Sequence, residues 1–119
     1  MSIIIKIFAT LVALEFFYIM YLETFATQSD ATSRVFNMDQ AELSRSSVTT
    51  LFKNQGVYNG LLAVLILVAS FIHPDLFWLR TLLVYIIAVA AHGGATSQPA
   101  ILFKQGGLAI ITLILSFIF

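Results

Sequence analysis

Glu15, Glu23, Asn54, Gln55, Tyr58, Asn59 and His92 are ionisable or strongly polar residues set in or beside long apolar runs. In hydrocarbon an unsatisfied polar group is costly, so such residues either find partners on a neighbouring helix or mark a path or a site. Glu15 lies roughly 18 Å along the first apolar run at about 1.5 Å per residue. It reads either as a proton-exchanging or cation-coordinating carboxylate, or as a neutral acid bonded to a neighbouring tyrosine or backbone carbonyl. Glu23 follows eight residues later, about 80° around a helix and about 12 Å further along it. That separation excludes a tight carboxylate dyad, and with it paired-carboxylate hydrolysis. Glu23 is expected to pair with Lys104 or with the amides of Asn54 and Asn59, or else to sit in headgroup water. His92 could shuttle protons near neutral pH or act as a satisfied packing group.

Other chemistries find no support. The chain has no cysteine, which excludes thiolate metal sites and Cys nucleophiles, and its two histidines are far apart. No metal or cofactor is expected. There is no nucleophile elbow and no phosphate-binding glycine loop. Formal net charge is zero and no basic patch exists, so no nucleic-acid partner is expected.

The run from Lys53 to Gly60, Lys-Asn-Gln-Gly-Val-Tyr-Asn-Gly, concentrates this polarity at the head of a segment that is apolar from Leu61 onward. Gln55, Tyr58, Asn59 and Leu62 share one helical face at i, i+3, i+4, i+7. Gly56 and Gly60 form a small-xxx-small ridge beside it, where another helix can approach closely, and Gly93 and Gly106 offer similar close packing.

The elements that must position these residues are membrane helices. Of 119 residues 60% are apolar and only 10% charged, against roughly 25% charged in soluble domains, so the expected partner of the surface is the lipid bilayer. Four spans are predicted, at about 2–26, 48–72, 76–95 and 100–119, each near the ~20 residues a bilayer requires. Together they predict an all-α, integral membrane four-helix bundle forming a single transmembrane domain. A secretory signal is disfavoured for the first run, which is too long and is interrupted by Glu15. Within the polar segment after it, Asn37 and Gln40 predict a short interfacial helix over about 38–44. His73-Pro74-Asp75 and Ser97-Gln98-Pro99 break the later spans. Arg34, Arg45, Lys53 and Lys104 fall near loops one and three, against Lys6 and Arg80 on the other side. This bias places loops one and three in the cytoplasm. Glu23, the Asn54–Asn59 group, His92, Thr96, Lys104 and Gln105 then share one leaflet.

The stretches Glu23-Thr24-Phe25, Val35-Phe36-Asn37-Met38, Asn54-Gln55-Gly56-Val57-Tyr58-Asn59-Gly60-Leu61-Leu62-Ala63 and Gln105-Gly106 resemble the small bacterial membrane proteins of the domain of unknown function 1304 family. The resemblance covers essentially the whole chain. It departs at Thr24, where the family pattern has Met, and at His92-Gly93-Gly94-Ala95-Thr96, which is less apolar than its counterpart. The resemblance implies four spans, a bacterial inner-membrane location and a signature carried by Glu23, Asn54, Gln55, Tyr58 and Asn59; it implies no reaction.

Three functions stay open on these residues. The polar cluster of one leaflet suits a protein that binds or transports a small molecule or ion, working as a homo-oligomer because four spans barely enclose a path. An intramembrane enzyme acting on a lipophilic substrate would use Tyr58 or Glu23 as acid or base. A non-catalytic accessory subunit would use the cluster only to fix helix register.

Overall fold

The structure, a computed structural model, describes residues 1–97 and 99–119; the predicted break at Ser97-Gln98-Pro99 includes Gln98, which lies outside them. The fold is all-α, as the composition predicts. Four helices are long and apolar enough to cross a membrane: Ile3–Phe25, Ser46–Ile72, Leu76–Thr96 and Ala100–Ile118. Their ends fall within about two residues of the predicted spans.

The first two spans are not uniform. Helix α1 (Ile3–Met20) passes into a π-helical turn, Tyr21–Phe25, in which the Ala26 N–H reaches back to the Tyr21 carbonyl at 2.9 Å. After α2 (Asp30–Phe36) and α3 (Gln40–Leu43), helix α4 (Ser46–Leu67) likewise runs into a π turn, Val68–Ile72. Helices α5 (Leu76–Thr96) and α6 (Ala100–Ile118) are continuous. Asp75 starts α5 by accepting the Trp78 N–H at 3.2 Å.

The polar segment departs from expectation. Asn37 does not start a helix; it ends one. It takes up the left-handed region (φ 53°) as the C-terminal cap of α2, and its N–H meets the Ser33 carbonyl. Asparagine tolerates this conformation because its short side chain bonds locally. The helix α2 escapes sequence analysis because Asp30–Phe36 has no sustained apolar period. It is set instead by Ser29, whose Oγ accepts the Thr32 N–H at 3.2 Å. The predicted 38–44 helix shrinks to the single turn α3. We expect Asn37→Val to lower stability by about 1–2 kcal/mol, the cost of a left-handed residue with a branched side chain, and Asn37→Gly to be close to neutral. Thermal unfolding in detergent checks both.

Contacts divide the chain into two compact units. Unit one is Met1–Ala13 with Val64–Phe119; unit two is Leu14–Ala63. In unit one, α5 and α6 pack along each other, with Leu79, Leu83, Ile86, Ala90 and Ala109 buried. Gly106 lets the helices close: a Cβ there would stand 3.1 Å from Ala90 Cβ. At the start of α5, Arg80 donates to Ser116 Oγ (3.0 Å) and to the Ser116 carbonyl (2.6 Å), and its guanidinium lies 4.0 Å from the Phe117 ring centre. It thereby satisfies a carbonyl that the end of α6 leaves open. In unit two, Phe16, Ile19, Leu22 and Leu43 are buried, and Phe36 meets Phe52 edge-on.

The burial pattern exposes a repeat. Helix α4 reads Leu51-Phe52-Lys53, Gln55-Gly56 and, further on, Leu62-Ala63 and Ser70-Phe71-Ile72 at its π turn. Helix α6 reads Leu102-Phe103-Lys104-Gln105-Gly106, Leu108-Ala109 and Ser116-Phe117-Ile118. Gly56 and Gly106, Ala63 and Ala109, Ile66 and Thr112, and Ser70 and Ser116 are buried in matching register. The two helices differ chiefly by an insertion. Gly56 to Leu62 is six steps and Gly106 to Leu108 only two, so α4 carries about one extra turn. That turn brings Tyr58, Asn59 and Gly60.

Candidate functional site

The extra turn of α4 is half of the candidate site; the π turn of the first span is the other half. Glu23 sits within that π turn and is fully buried. A π turn adds a residue to the helix and re-aims the side chains around it, and such turns are frequent at functional sites. Here it buries two consecutive residues, Leu22 and Glu23. The backbone carbonyls around the turn are satisfied by threonines. Thr27 Oγ1 donates to the Glu23 carbonyl at 2.6 Å. Thr32 Oγ1, on α2, lies 2.6 Å from the Ala26 carbonyl and 3.1 Å from that of Leu22. The short helix α2 thus holds the turn in shape.

Both carboxylate oxygens of Glu23 accept a primary amide. Gln55 Nε2 donates to Oε2 at 2.7 Å and Asn59 Nδ2 to Oε1 at 2.6 Å. Gln55 and Asn59 are four residues apart and so project from one face of α4. The glycines of the same helix make the close approach. A Cβ on Gly56 would fall 1.9 Å from Thr24 Oγ1 and 3.1 Å from Glu23 Cβ; one on Gly60 would fall 2.2 Å from Met20 Sδ. Thr24 Oγ1 adds a cross-link, donating to the Lys53 carbonyl at 3.0 Å.

The expected partners of Glu23 are therefore half right. Asn59 binds it, but Gln55 takes the place foreseen for Asn54, which is exposed. Lys104, the other expected partner, belongs to unit one, whereas Glu23 belongs to unit two. Tyr58 is 78% exposed and makes no hydrogen bond to the carboxylate. Asn54 stands about 100° from Gln55 and about 140° from Asn59 around α4, so helical phase keeps it off the carboxylate. Tyr58, about 60° from Gln55 and about 100° from Asn59, lies at the edge of their face. Glu15 is half-buried, and its Oε1 is a buried oxygen without a hydrogen-bond partner among the described residues. His92, Thr96, Lys104 and Gln105 belong to unit one. There His92, Thr96 and Lys104 are exposed, Gln105 is half-buried, and Thr96 Oγ1 donates to the His92 carbonyl at 2.8 Å. Among the packing glycines, Gly93 faces Ile101, and Gly106 faces Ala90 as described.

Met20, Thr24, Thr27 and Thr32 are the site residues that sequence analysis missed. Thr27 and Thr32 lie in a polar segment where threonines carry no distinctive signal, Met20 and Thr24 lie within the first apolar run, and the π turn that needs them has no sequence signature of its own. Among the described residues no group of three or more His, Asp or Glu is placed to hold a metal ion.

A family model described as "Protein of unknown function (DUF1304)" matches residues 10–117. The chain belongs to this family. It is also 60% identical over 118 residues to "Uncharacterized protein YpaA" of Lactococcus lactis subsp. lactis (strain IL1403), covering 98% of this chain and 99% of that one. No solved structure matches. The matched segment contains the whole site. Within the family-like run Asn54–Gly60, structure separates two roles: Gln55, Gly56, Asn59 and Gly60 meet the first span, whereas Asn54, Val57 and Tyr58 are exposed and make no hydrogen bond to Glu23.

Proposed function

We propose that the chain is a multi-pass protein of the bacterial cell membrane that binds and exchanges a small cation, a proton or a monovalent ion, at Glu23. The observation that carries this reading is a fully buried carboxylate whose two oxygens receive only neutral amide donors. A buried carboxyl in an apolar span keeps its charge only when a positive charge compensates it. No Lys, Arg or His among the described residues forms an ion pair with Glu23. The compensating charge is then a proton or a small cation, and what arrives from solution can leave again. Gln55 and Asn59 fix the carboxylate while leaving lone pairs free to accept it. The excess of Arg34, Arg45, Lys53 and Lys104 over Lys6 and Arg80 supports a cytoplasmic position for the Glu23 end of the first span.

Flux measured in proteoliposomes tests the reading. Vesicles loaded with a pH-sensitive dye, and parallel vesicles loaded with sodium or potassium, should show a cation flux above protein-free controls. Glu23→Gln keeps the shape, holds one amide through its remaining oxygen and the other once the facing amide flips to present its oxygen, and removes the exchangeable charge, so it should return the flux to the control level. Equal flux from wild type and Glu23→Gln would refute the assignment.

A further inference from the structure

The end of unit two at loop one carries a cavity of about 320 Å³ beside the Glu23 turn, lined in part by Phe25, Thr27, Gln28, Ser29, Thr49 and Lys53. We infer that this cavity binds a phosphate group, as the headgroup of an anionic lipid or as free phosphate, with Lys53 as its cationic anchor. This proposal is independent of the role given to Glu23.

The cavity has the chemistry of an anion site. Its lining includes one cation and no carboxylate. Of the acids of unit two, Asp30 accepts from Gln40, Glu42 pairs with Arg45 and Glu23 is held by its two amides, while Glu15 and Asp39 are not among the lining residues. Lys53 forms no ion pair among the described residues, so its charge is available to a ligand. The hydroxyls of the walls are committed to the protein, which keeps the cavity in shape. Thr27 Oγ1 donates to the Glu23 carbonyl, Thr49 Oγ1 donates to the Leu43 carbonyl at 2.6 Å, and Ser29 Oγ accepts the Thr32 N–H. The Gln28 carbonyl oxygen lies 3.4 Å from Ser44 Oγ, whose hydroxyl donates to the Gln40 carbonyl at 2.7 Å, and the Gln28 amide hydrogens remain for an anion.

Position favours a phosphate with an acyl chain attached. Phe25 closes the first span and is 73% exposed, at the depth where aromatic side chains meet headgroups. Lys53 stands about two turns into the second span, where a lysine extends its charge to the interface while its stem stays in apolar surroundings.

The full-length protein in a neutral detergent serves as the test, with its thermal midpoint read while lipid or salt is added. Phosphatidylglycerol should raise the midpoint, and phosphatidylcholine should do so far less. Lys53→Gln should weaken the phosphatidylglycerol response about fivefold in apparent affinity, the order of one lysine near an anionic surface. Lys53→Arg should retain it. Lys104→Gln, at the matching position of the α4/α6 repeat, removes the same charge and should keep the full response. A midpoint that also rises with inorganic phosphate, and loses that rise in Lys53→Gln, adds free phosphate as an occupant; a response to the lipid alone assigns the site to a headgroup. The proposal is overturned if neither phosphate source shifts the midpoint, or if Lys53→Gln responds as wild type does.

Discussion

Replacing Gln55 and Asn59 together by leucine is expected to destabilise the protein by about 3 kcal/mol, more than the sum of the two single changes. Each single change leaves one amide on the carboxylate. Interhelical hydrogen bonds in membranes average about 0.6 kcal/mol, with the strongest near 1.7, and Asn59→Leu should fall toward the upper figure. Gln55→Leu should cost less, because its side chain is largely exposed and leucine gains contact with lipid in exchange. Only the double variant leaves Glu23 buried with neither amide, and an orphaned buried acid costs far more than a lost bond. The decisive control is Glu23→Leu in the double background. Once acid and amides are all replaced by apolar groups, no unsatisfied polar atom remains, and most of the lost stability should return. Reversible unfolding in mixed micelles gives all of these values. Additive single effects, or no recovery in the triple variant, would show that the Glu23 clamp is not the unit described here.

This clamp also shows what a sequence can reveal of such a protein. The four spans are legible because hydrocarbon imposes a length and a composition that nothing else in the chain shares. That Glu23 meets the Asn54–Asn59 run was also legible, since antiparallel neighbours joined at loop one must share a depth. Which amides reach the carboxylate was not. The choice of Gln55 over Asn54 depends on helical phase, and the phase depends on a π turn that adds a residue to the first span. The reach of Gln55 also matters, since its longer side chain spans a gap from a position that is itself largely exposed. The repeat between α4 and α6 is present in the residues but broken by the inserted turn, and matching burial at Ala63 and Ala109, Ile66 and Thr112, and Ser70 and Ser116 makes the register plain. It explains why the clamp is built once. Helix α6 keeps Gln105 and Gly106 but lacks the turn that carries Asn59 and Gly60.

Gly56 and Gly60 look alike in sequence but are expected to respond very differently to alanine. At Gly60 the nearest atom to a new Cβ is Met20 Sδ, the end of a flexible side chain that can swing aside. Alanine is also better than glycine in a helix by about 1 kcal/mol, so Gly60→Ala should be neutral or mildly stabilising. At Gly56 the obstacle is Thr24 Oγ1, on a short branched side chain held by its bond to the Lys53 carbonyl. Glu23 Cβ and Thr24 Cβ both stand 3.1 Å from the new Cβ, and neither can leave without moving the span. Gly56→Ala should therefore destabilise the protein by about 2 kcal/mol, the usual cost of overpacking, despite the gain in helix propensity. It should also draw Glu23 off its two amides, so that a flux dependent on Glu23 falls with it. Thr24→Ala costs about 1 kcal/mol through its lost hydrogen bond but clears the nearest obstacle, so the Thr24→Ala, Gly56→Ala pair should be more stable than Gly56→Ala alone. Equal stability of Gly56→Ala and Gly60→Ala would contradict the close approach of the first span to Gly56, on which the geometry of the Glu23 site depends.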